Sequence, residues 1–214
     1  ILSQAGLTIG QTRQAMQALA KTTLAPTFTS IEKTAEGAIA AMRQFGIRAG
    51  DLEKALGSIN AVASKFAVES DDIIAAVRRA GGVFAAATPN FVAPTEALNQ
   101  FIATFTSVRA TTRESAESIA TGLRTIFTRI QRGSTIKMFE ELGVSLKDSR
   151  GRFIGVFEAV NRLSIALRRL DPRSGDFAKL VEELGGFRQV GKVIPLITQL
   201  STRMAALRVA QQGQ

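Results

Sequence analysis

The sequence contains no cysteine, no histidine, no tryptophan and no tyrosine. Without cysteine there can be no disulfide framework, no thiolate nucleophile and no cysteine-ligated metal. Without histidine the chain also lacks the usual general base of neutral-pH catalysis and the commonest metal ligand. These absences predict that the chain is not an enzyme and that it holds no metal and no cofactor.

Uncharged stretches long enough to cross a membrane are lacking too. The longest one, residues 80–95, is interrupted by Gly81, Gly82, Pro89 and Pro94. It is also shorter than the ~20 apolar residues that a membrane-spanning helix needs. We therefore expect the chain to be compatible with water.

Apolar side chains are abundant. Hydrophobic residues make up 45% of the sequence, the mean hydropathy is +0.12, and the aromatic residues are 13 phenylalanines. We assign the phenylalanines to a packed core, and we expect some apolar surface to remain for partner chains.

Positive charge is concentrated in the second half of the chain, which has a net charge of +9 overall. Residues 1–108 carry 9 basic and 8 acidic groups, a net charge of +1, whereas residues 109–214 carry 18 and 10, a net charge of +8. Such a field suits an acidic protein, a phosphate backbone or an anionic membrane about equally well.

Ten arginines between residues 109 and 173 form the candidate cationic interaction surface. Arginine outnumbers lysine in this segment, and its guanidinium group is suited to bidentate contacts with carboxylate or phosphate. Solvated charge on exposed faces is the ordinary alternative. The candidates are Arg109, Arg113, Arg124, Arg129, Arg132, Arg150, Arg152, Arg168, Arg169 and Arg173.

Apolar residues recur at helical spacing in four stretches. Each set forms a stripe along one face of a helix, so at least four amphipathic helices need other helices to cover them. The stripes are Leu52, Leu56, Ile59, Val62 and Phe66; Leu98, Phe101, Ile102, Phe105 and Val108; Ile119, Leu123, Ile126, Phe127 and Ile130; and Val156, Val160, Leu163, Leu167 and Leu170.

Helix start and stop signals separate these stripes. The predicted starts are at Thr29 with Glu32, Thr111 with Glu114, Ser70 before Asp71 and Asp72, and Pro94; the predicted ends are at Gly46, Gly82, Gly143 and Gly185. A rod-like coiled coil needs heptads that continue without such breaks. We therefore expect the chain to fold back on itself.

The predicted fold class is all-α, with multiple short amphipathic helices packed as a compact helical domain. Asp148, Ser149, Arg150 and Gly151 form a turn between short apolar flanks, which predicts one small β-hairpin near 144–154.

We divide the chain into an N-terminal helical segment (1–48), a core helical domain (49–200) and the start of a further helix (201–214). The chain begins at Ile1 without an initiator Met and stops at Gln214 inside a helical pattern. We expect it to be a piece of a longer protein.

Two kinds of motif suggest chemistry but have ordinary structural explanations. Residues 186–193 have the glycine and lysine spacing of a phosphate-binding loop, but Val193 replaces the magnesium-binding hydroxyl and a helical segment precedes the motif. Acidic pairs at 71–72, 140–141 and 182–183 suit a first helical turn or an exposed helical face better than acid–base chemistry. We nominate no catalytic, cofactor-binding or metal-binding residue.

Several stretches, taken in order, resemble the core region of phage tail tape measure proteins, a family also described as phage minor tail proteins. These stretches are residues 51–56, 75–82, 122–130, 142–153 and 184–189 leading into 194–197. The resemblance covers about residues 50 to 200. It departs at residues 91–96, where the family more often has a serine cap before an acidic first turn.

The resemblance implies a structural protein of the virion, made in the host cytoplasm and placed inside the tail tube or at the tail tip. Such proteins are present in a few copies, set tail length and leave ahead of the genome. The implied partners are other copies of the chain, tail tube proteins and tail tip or baseplate hub proteins, with transient contact to the host membrane or phage DNA. We expect this segment to be a docking body beside the measuring rod.

An alternative function is a module that acts during genome delivery. A membrane-active module would use the apolar region 80–108, and a DNA-contacting module would use the arginines of 109–173. Liposome leakage and DNA filter binding across salt concentrations would distinguish these alternatives from a docking body.

Overall fold

Residues 6–22 and 27–214 are described by this computed structural model, and they fold into α-helices joined by short connections. The helices are α1 (Ile9–Thr22), α2 (Ile31–Phe45), α3 (Leu52–Lys65), α4 (Ser70–Ala76), α5 (Gly82–Ala86), α6 (Pro94–Arg109), α7 (Ala116–Ile130), α8 (Gly133–Glu141), α9 (Val156–Leu167), α10 (Gly175–Glu183), α11 (Val190–Thr198) and α12 (Leu200–Gln212). A π-helical segment, Val77–Gly81, joins α4 to α5, and 3-10 turns lie at Ala49–Asp51 and Phe187–Gln189. The prediction of an all-α fold is confirmed.

Helix α6 lies at the centre of the fold, with α3, α7, α11 and α12 packed around it. Its predicted apolar stripe, from Leu98 to Val108, is fully buried. From residue 97 to residue 108 the other faces are buried as well except at Gln100, although they carry hydroxyl groups. The hydroxyl of Thr104 donates to the carbonyl of Gln100 at 2.8 Å, and that of Ser107 donates to the carbonyl of Thr104 at 2.8 Å. Hydrogen bonds to the helix backbone thus make these polar side chains compatible with a buried position.

Four phenylalanines from four helices meet in the core. Phe45 of α2, Phe84 of α5, Phe101 of α6 and Phe127 of α7 are buried, and their contacting ring centroids lie between 5.4 and 6.5 Å apart. Most pairs meet edge to face, the geometry that aromatic quadrupoles favour, worth ~0.5–1.5 kcal/mol per pair. The cluster therefore ties the first helices of the chain to α6 and α7.

Two predicted helix starts are displaced along the sequence. Helix α2 is capped by Ser30, whose hydroxyl accepts a backbone hydrogen bond at 3.1 Å, and not by Thr29. Helix α7 is capped in the same way by Ser115 at 3.1 Å, and not by Thr111. Thr111 belongs instead to the turn that ends α6, where its hydroxyl donates to the carbonyl of Val108 at 3.2 Å. In both cases a serine closer to the first turn provides the cap.

The other two predicted starts are close to correct. The N-cap of α4 is Glu69, which forms a reciprocal capping box with Asp72, so Ser70 is the first helical residue. Pro94 is the first residue of α6, as predicted. Its ring suits that position because an amide there would lack an intrahelical acceptor.

Three of the four predicted helix ends are confirmed. Gly46, Gly143 and Gly185 follow the ends of α2, α8 and α10 with φ values of 69°, 85° and 139°. Gly82 is not a helix end: its φ is −63°, and the chain continues through it from the π-helical segment into α5. A Cβ at Gly81 would lie 2.8 Å from the aromatic ring at the end of α2. The glycine pair thus allows close helix packing, which a sequence pattern cannot distinguish from helix termination.

The hairpin predicted near 144–154 forms a turn with a single antiparallel bridge, between Lys147 and Phe153. The carboxylate of Asp148 accepts hydrogen bonds from two backbone amides of the turn, both at 2.9 Å. Three backbone hydrogen bonds also hold the turn: the amides of Asp148, Gly151 and Ile154 donate to the carbonyls of Arg152, Asp148 and Leu146. Side-chain and backbone hydrogen bonds together thus stabilise the turn without an extended ladder.

The helices on both sides of the predicted boundaries share one core. Helices α1 and α2 pack on α3, and α12 packs on α6 and α3. The hydroxyl of Ser58 on α3 donates to the carbonyl of Ala210 on α12 at 2.9 Å. The division at residues 48 and 200 stays a prediction about the organisation of a longer protein.

Candidate interaction surfaces

The ten candidate arginines are distributed over several elements. Arg113 precedes α7 and Arg132 follows it, so a helix about 23 Å long, at 1.5 Å per residue, separates them. Arg150 and Arg152 lie in the hairpin turn, and Arg168 begins the group that follows α9. The candidates thus cover an area wider than a single small-molecule site.

Three of the candidates are paired with nearby carboxylates. Arg109 lies 3.5 Å from Asp72, Arg152 lies 3.3 Å from Asp148, and Arg173 lies 3.3 Å from Asp171. Asp148 and Asp171 have lowered pKa values: the backbone amide of Arg152 is the largest cause for Asp148, and the backbone amide of Arg173 for Asp171. The positive charge of these arginines is therefore partly neutralised at the surface.

The remaining seven candidates have no ion pair among the described residues. Arg129 is half-buried and donates to the backbone carbonyl of Glu182 at 3.4 Å. The others are exposed: Arg113, Arg124, Arg132, Arg150, Arg168 and Arg169. Arg168 and Arg169 follow the carbonyl end of α9, where the helix dipole favours cations. Of the six exposed arginines, Arg124 lies in the middle of a helix, on the outer face of α7.

Two further arginines flank α7 and were missed by the sequence prediction. Arg79, in the π-helical segment, donates to the hydroxyl of Thr121 on α7 at 3.2 Å. Arg188 is exposed on the 3-10 turn that packs against α7. We call Arg79, Arg124 and Arg188 the α7 cationic face. The pair at 78–79 was visible in the sequence, but nothing there indicated that it would lie beside α7.

Lys192, the lysine of the phosphate-loop-like motif, is buried against α7. Its ammonium group lies 2.7 Å from a carboxylate oxygen of Glu114. A Cβ at Gly122 would lie 2.7 Å from Cε of Lys192, so Gly122 makes room for the lysine stem. Residues 187–198 form a 3-10 turn and α11, and the preceding element is α10 and not a strand. The motif therefore has a structural role in joining α11 to α7.

Arg203 is fully buried, and the acceptors around its guanidinium group are neutral. Its guanidinium group donates to Asn161 Oδ1 at 2.8 Å, Ser164 Oγ at 2.8 Å, the carbonyl of Leu196 at 3.1 Å and Ser107 Oγ at 3.5 Å. Burial lowers its pKa to about 10, so it remains charged at neutral pH. This side chain of α12 thus connects α6, α9 and α11 through neutral acceptors. No sequence pattern distinguished Arg203 from the other arginines.

The acidic pairs serve local structure. Asp71 accepts from the hydroxyl of Thr29 at 3.2 Å, and Asp72 pairs with Arg109. Glu140 lies 3.7 Å from Lys147, and Glu183 accepts from a threonine hydroxyl of α8 at 3.1 Å. Each pair therefore has an interaction that explains its position.

A groove of about 800 Å³ lies between the α5–α6 connection and the hairpin. One wall is residues 86–92 and the other is residues 152–158. Phe91, on the first wall, is 90% exposed, whereas Phe153 and Phe157 on the second wall are half-buried. The groove combines apolar walls with charged side chains at its rim, as a docking site does.

A second apolar surface lies on α1. Ala15, Ala18 and Leu19 are buried in the core, whereas Ile9 and Met16 are 84% and 59% exposed. The α1 sequence contains no acidic residue. This helix therefore leaves an apolar and basic surface uncovered.

A family model described as phage-related minor tail protein matches residues 1–186, most of the chain. No solved structure matches the chain. Within residues 6–22 and 27–214, no helix is long and apolar enough to cross a membrane. The family match, the helical fold and the uncovered surfaces agree with a structural role, and the chain belongs to the family of phage-related minor tail proteins.

Proposed function

We propose that the chain is a folded segment of a phage tail tape measure protein. In this role it helps to set tail length, docks with tail tube and tail tip proteins, and is released when the genome is ejected. Membership of the minor tail protein family supports a role in the tail. The ordered resemblance of residues 50 to 200 to tape measure core regions supports the narrower assignment.

The observation that carries the proposal is the shortness of the helices. The longest α-helix of the described residues, α6, has 16 residues and is about 24 Å long at 1.5 Å per residue. A continuous helix of all 214 residues would be about 320 Å long on the same basis. Because the helices fold around α6, the chain provides a docking body and contributes little to the reach of a ruler.

Paired deletions in the full-length gene test this role. Deleting residues 1–214 should prevent tail assembly, because the docking body is lost. Deleting an equally long stretch of the flanking helical rod should give complete but shorter tails. Complete tails shortened by the deletion of residues 1–214 would show that the segment acts as part of the ruler.

The α7 cationic face is the surface that we propose for docking to an acidic tail protein. Its three arginines are exposed, and the second half of the chain has a net charge of +8, from 18 basic and 10 acidic groups. Complementary charge accelerates association and favours the correct partner, and salt screens it. We therefore expect binding to weaken as salt rises.

Charge reversal tests the docking surface. Changing Arg79, Arg124 and Arg188 to Glu lowers the net charge from +9 to +3, since each reversal removes two charges. The matched control changes the exposed Arg43, Lys54 and Lys65 to Glu, with the same total charge. Binding to purified tube and tip proteins is measured by interferometry at low and high salt.

We expect the first variant to lose roughly tenfold or more in affinity at low salt, and the control to lose little. The difference should disappear near 1 M salt, where the Debye length is about 3 Å. Equal losses in both variants would show that only net charge matters, and unchanged binding across salt would exclude an electrostatic contact.

The proposed release during ejection is compatible with the composition. The chain has no cysteine, so no disulfide can fix it to itself or to a tail protein. Docking contacts without a disulfide can be reversible, as release requires.

A further inference from the structure

We propose that two copies of this chain associate through the groove between residues 86–92 and 152–158, with Phe91 of each copy inserted into the groove of the other. This contact goes beyond the proposed docking to other tail proteins. Its test needs only the chain itself.

Phe91 is presented to solvent by a constrained loop. It is the most exposed large apolar side chain of the described residues, at 90%. Pro89 and Pro94 restrict the backbone on both sides, and the amide of Val92 donates to the carbonyl of Pro89 at 3.0 Å. A loop held in this way loses little backbone entropy when a partner covers its side chain.

The opposite wall of the groove, residues 152–158, packs against the loop that carries Phe91 and leaves the groove open. Gly155 has a φ of 95°, and a Cβ there would lie 2.8 Å from Cδ of Pro89. The half-buried rings of Phe153 and Phe157 line the wall next to this contact. The volume of about 800 Å³ exceeds the space that one phenylalanine ring needs and leaves room for its neighbours.

The charges of the groove favour a second copy over an acidic partner. Its four charged side chains form two internal pairs: Arg152 lies 3.3 Å from Asp148, and Arg162 lies 3.2 Å from Glu158. The groove is therefore neutral, although the chain has a net charge of +9. Two copies can meet at this surface with little local repulsion, whereas an acidic protein would gain nothing there.

The location of both features on one surface indicates a reciprocal contact. Because Phe91 lies on a wall of the groove, insertion into a partner brings the partner's loop toward the first groove. Such a self-complementary surface closes as a two-fold dimer. Two buried phenylalanine side chains account for roughly 300–500 Å². Stable interfaces bury about 1,200–2,000 Å², so the isolated chain should dimerise weakly.

Sedimentation velocity over a concentration series up to about 1 mM, where even weak interfaces associate, tests the proposal. Phe91→Ser removes the inserted ring, with Phe187→Ser as the control because Phe187 is also exposed, at 68%, but on the 3-10 turn. Ala86→Glu places a charge in the groove from an exposed position, with Ala67→Glu as its control at another exposed alanine. Circular dichroism checks that each variant is folded.

We expect the wild type and both controls to dimerise, and Phe91→Ser and Ala86→Glu each to raise the dissociation constant at least tenfold. Higher salt should leave this dimer intact, in contrast to docking through the α7 cationic face, so the two contacts can fail independently. A wild type that stays monomeric throughout, or variants that dimerise as well as their controls, would overturn the proposal.

Discussion

The buried guanidinium of Arg203 allows a quantitative test of how α12 is held. Its Nε donates to Asn161 Oδ1 at 2.8 Å, and Asn161→Leu removes that acceptor while keeping a similar volume. A hydrogen bond to a charged group contributes about 1.5–3 kcal/mol, and a buried charge that loses an acceptor cannot turn to water. We expect Asn161→Leu to lower the free energy of unfolding by about this amount.

The second half of the test removes the charge. In an Arg203→Met background no guanidinium remains to be solvated, so Asn161→Leu should then cost little. Replacing buried ionic groups by apolar side chains of similar volume is often neutral or stabilising. The double variant should therefore be about as stable as the wild type, and the two changes should be coupled by at least ~1.5 kcal/mol.

Chemical and thermal unfolding at pH 7, followed by circular dichroism, measure all four chains. For a domain of this size a loss of 1 kcal/mol in the free energy of unfolding lowers Tm by about 2–4 °C. Asn161→Leu alone should therefore lower Tm by about 3–12 °C. If Asn161→Leu cost the same in both backgrounds, Asn161 would act through packing and the assigned role of Arg203 would be wrong.

Two further predictions concern close packing and pH. Gly57→Ala should destabilise the fold by about 1–3 kcal/mol in urea unfolding, because a Cβ at Gly57 would overlap the carbonyl of Gly213. The control is Gly133→Ala, whose Cβ would meet nothing within 4 Å and should not destabilise the fold. Asp148 has a lowered pKa, so its contribution to the hairpin is present above the ordinary value of 3.8 and is lost as pH falls through the lowered folded value. Carboxyl NMR should give a midpoint below 3.8 for Asp148, and a midpoint at or above that value would contradict the hydrogen bonds to the turn amides.

The apolar stripes could be predicted from the sequence because they depend on local periodicity. Every residue predicted to line α7 is fully buried, from Ile119 to Ile130. The α6 stripe is buried too, but the periodicity did not show that the other faces of α6 would also be covered. A pattern identifies which face must be buried and cannot identify the number of neighbours.

Helix boundaries were predicted less well, since several residues near each end could serve as caps. Ser30 and Ser115 provide the caps in place of the two predicted threonines. Gly82 was predicted to end a helix, but its close contact with α2 explains why a glycine stands at this position. Which residue caps or ends a helix depends here on packing between distant segments. A local sequence pattern does not show that packing.

The interaction surfaces were predicted only in part. The basic character of residues 109–173 was evident, but the neutralisation of Arg152 by Asp148 and the position of Arg79 beside α7 depend on the fold. The buried role of Arg203 had no signal, because its acceptors come from three other helices. Electrostatic surfaces therefore require the tertiary structure even where composition indicates their sign.

The most direct measurement of the central claim is tail length, by electron microscopy, in a phage whose full-length gene carries residues 1–214 twice in tandem. A duplication keeps the proposed docking body intact and avoids the loss of assembly that we expect from a deletion. A compact body of this size is about 45 Å across, from the scaling of the radius of gyration with chain length. The account predicts that tails lengthen by no more than about this diameter. Tails longer by about 320 Å, the length of the added residues as one helix, would show that the segment is part of the ruler.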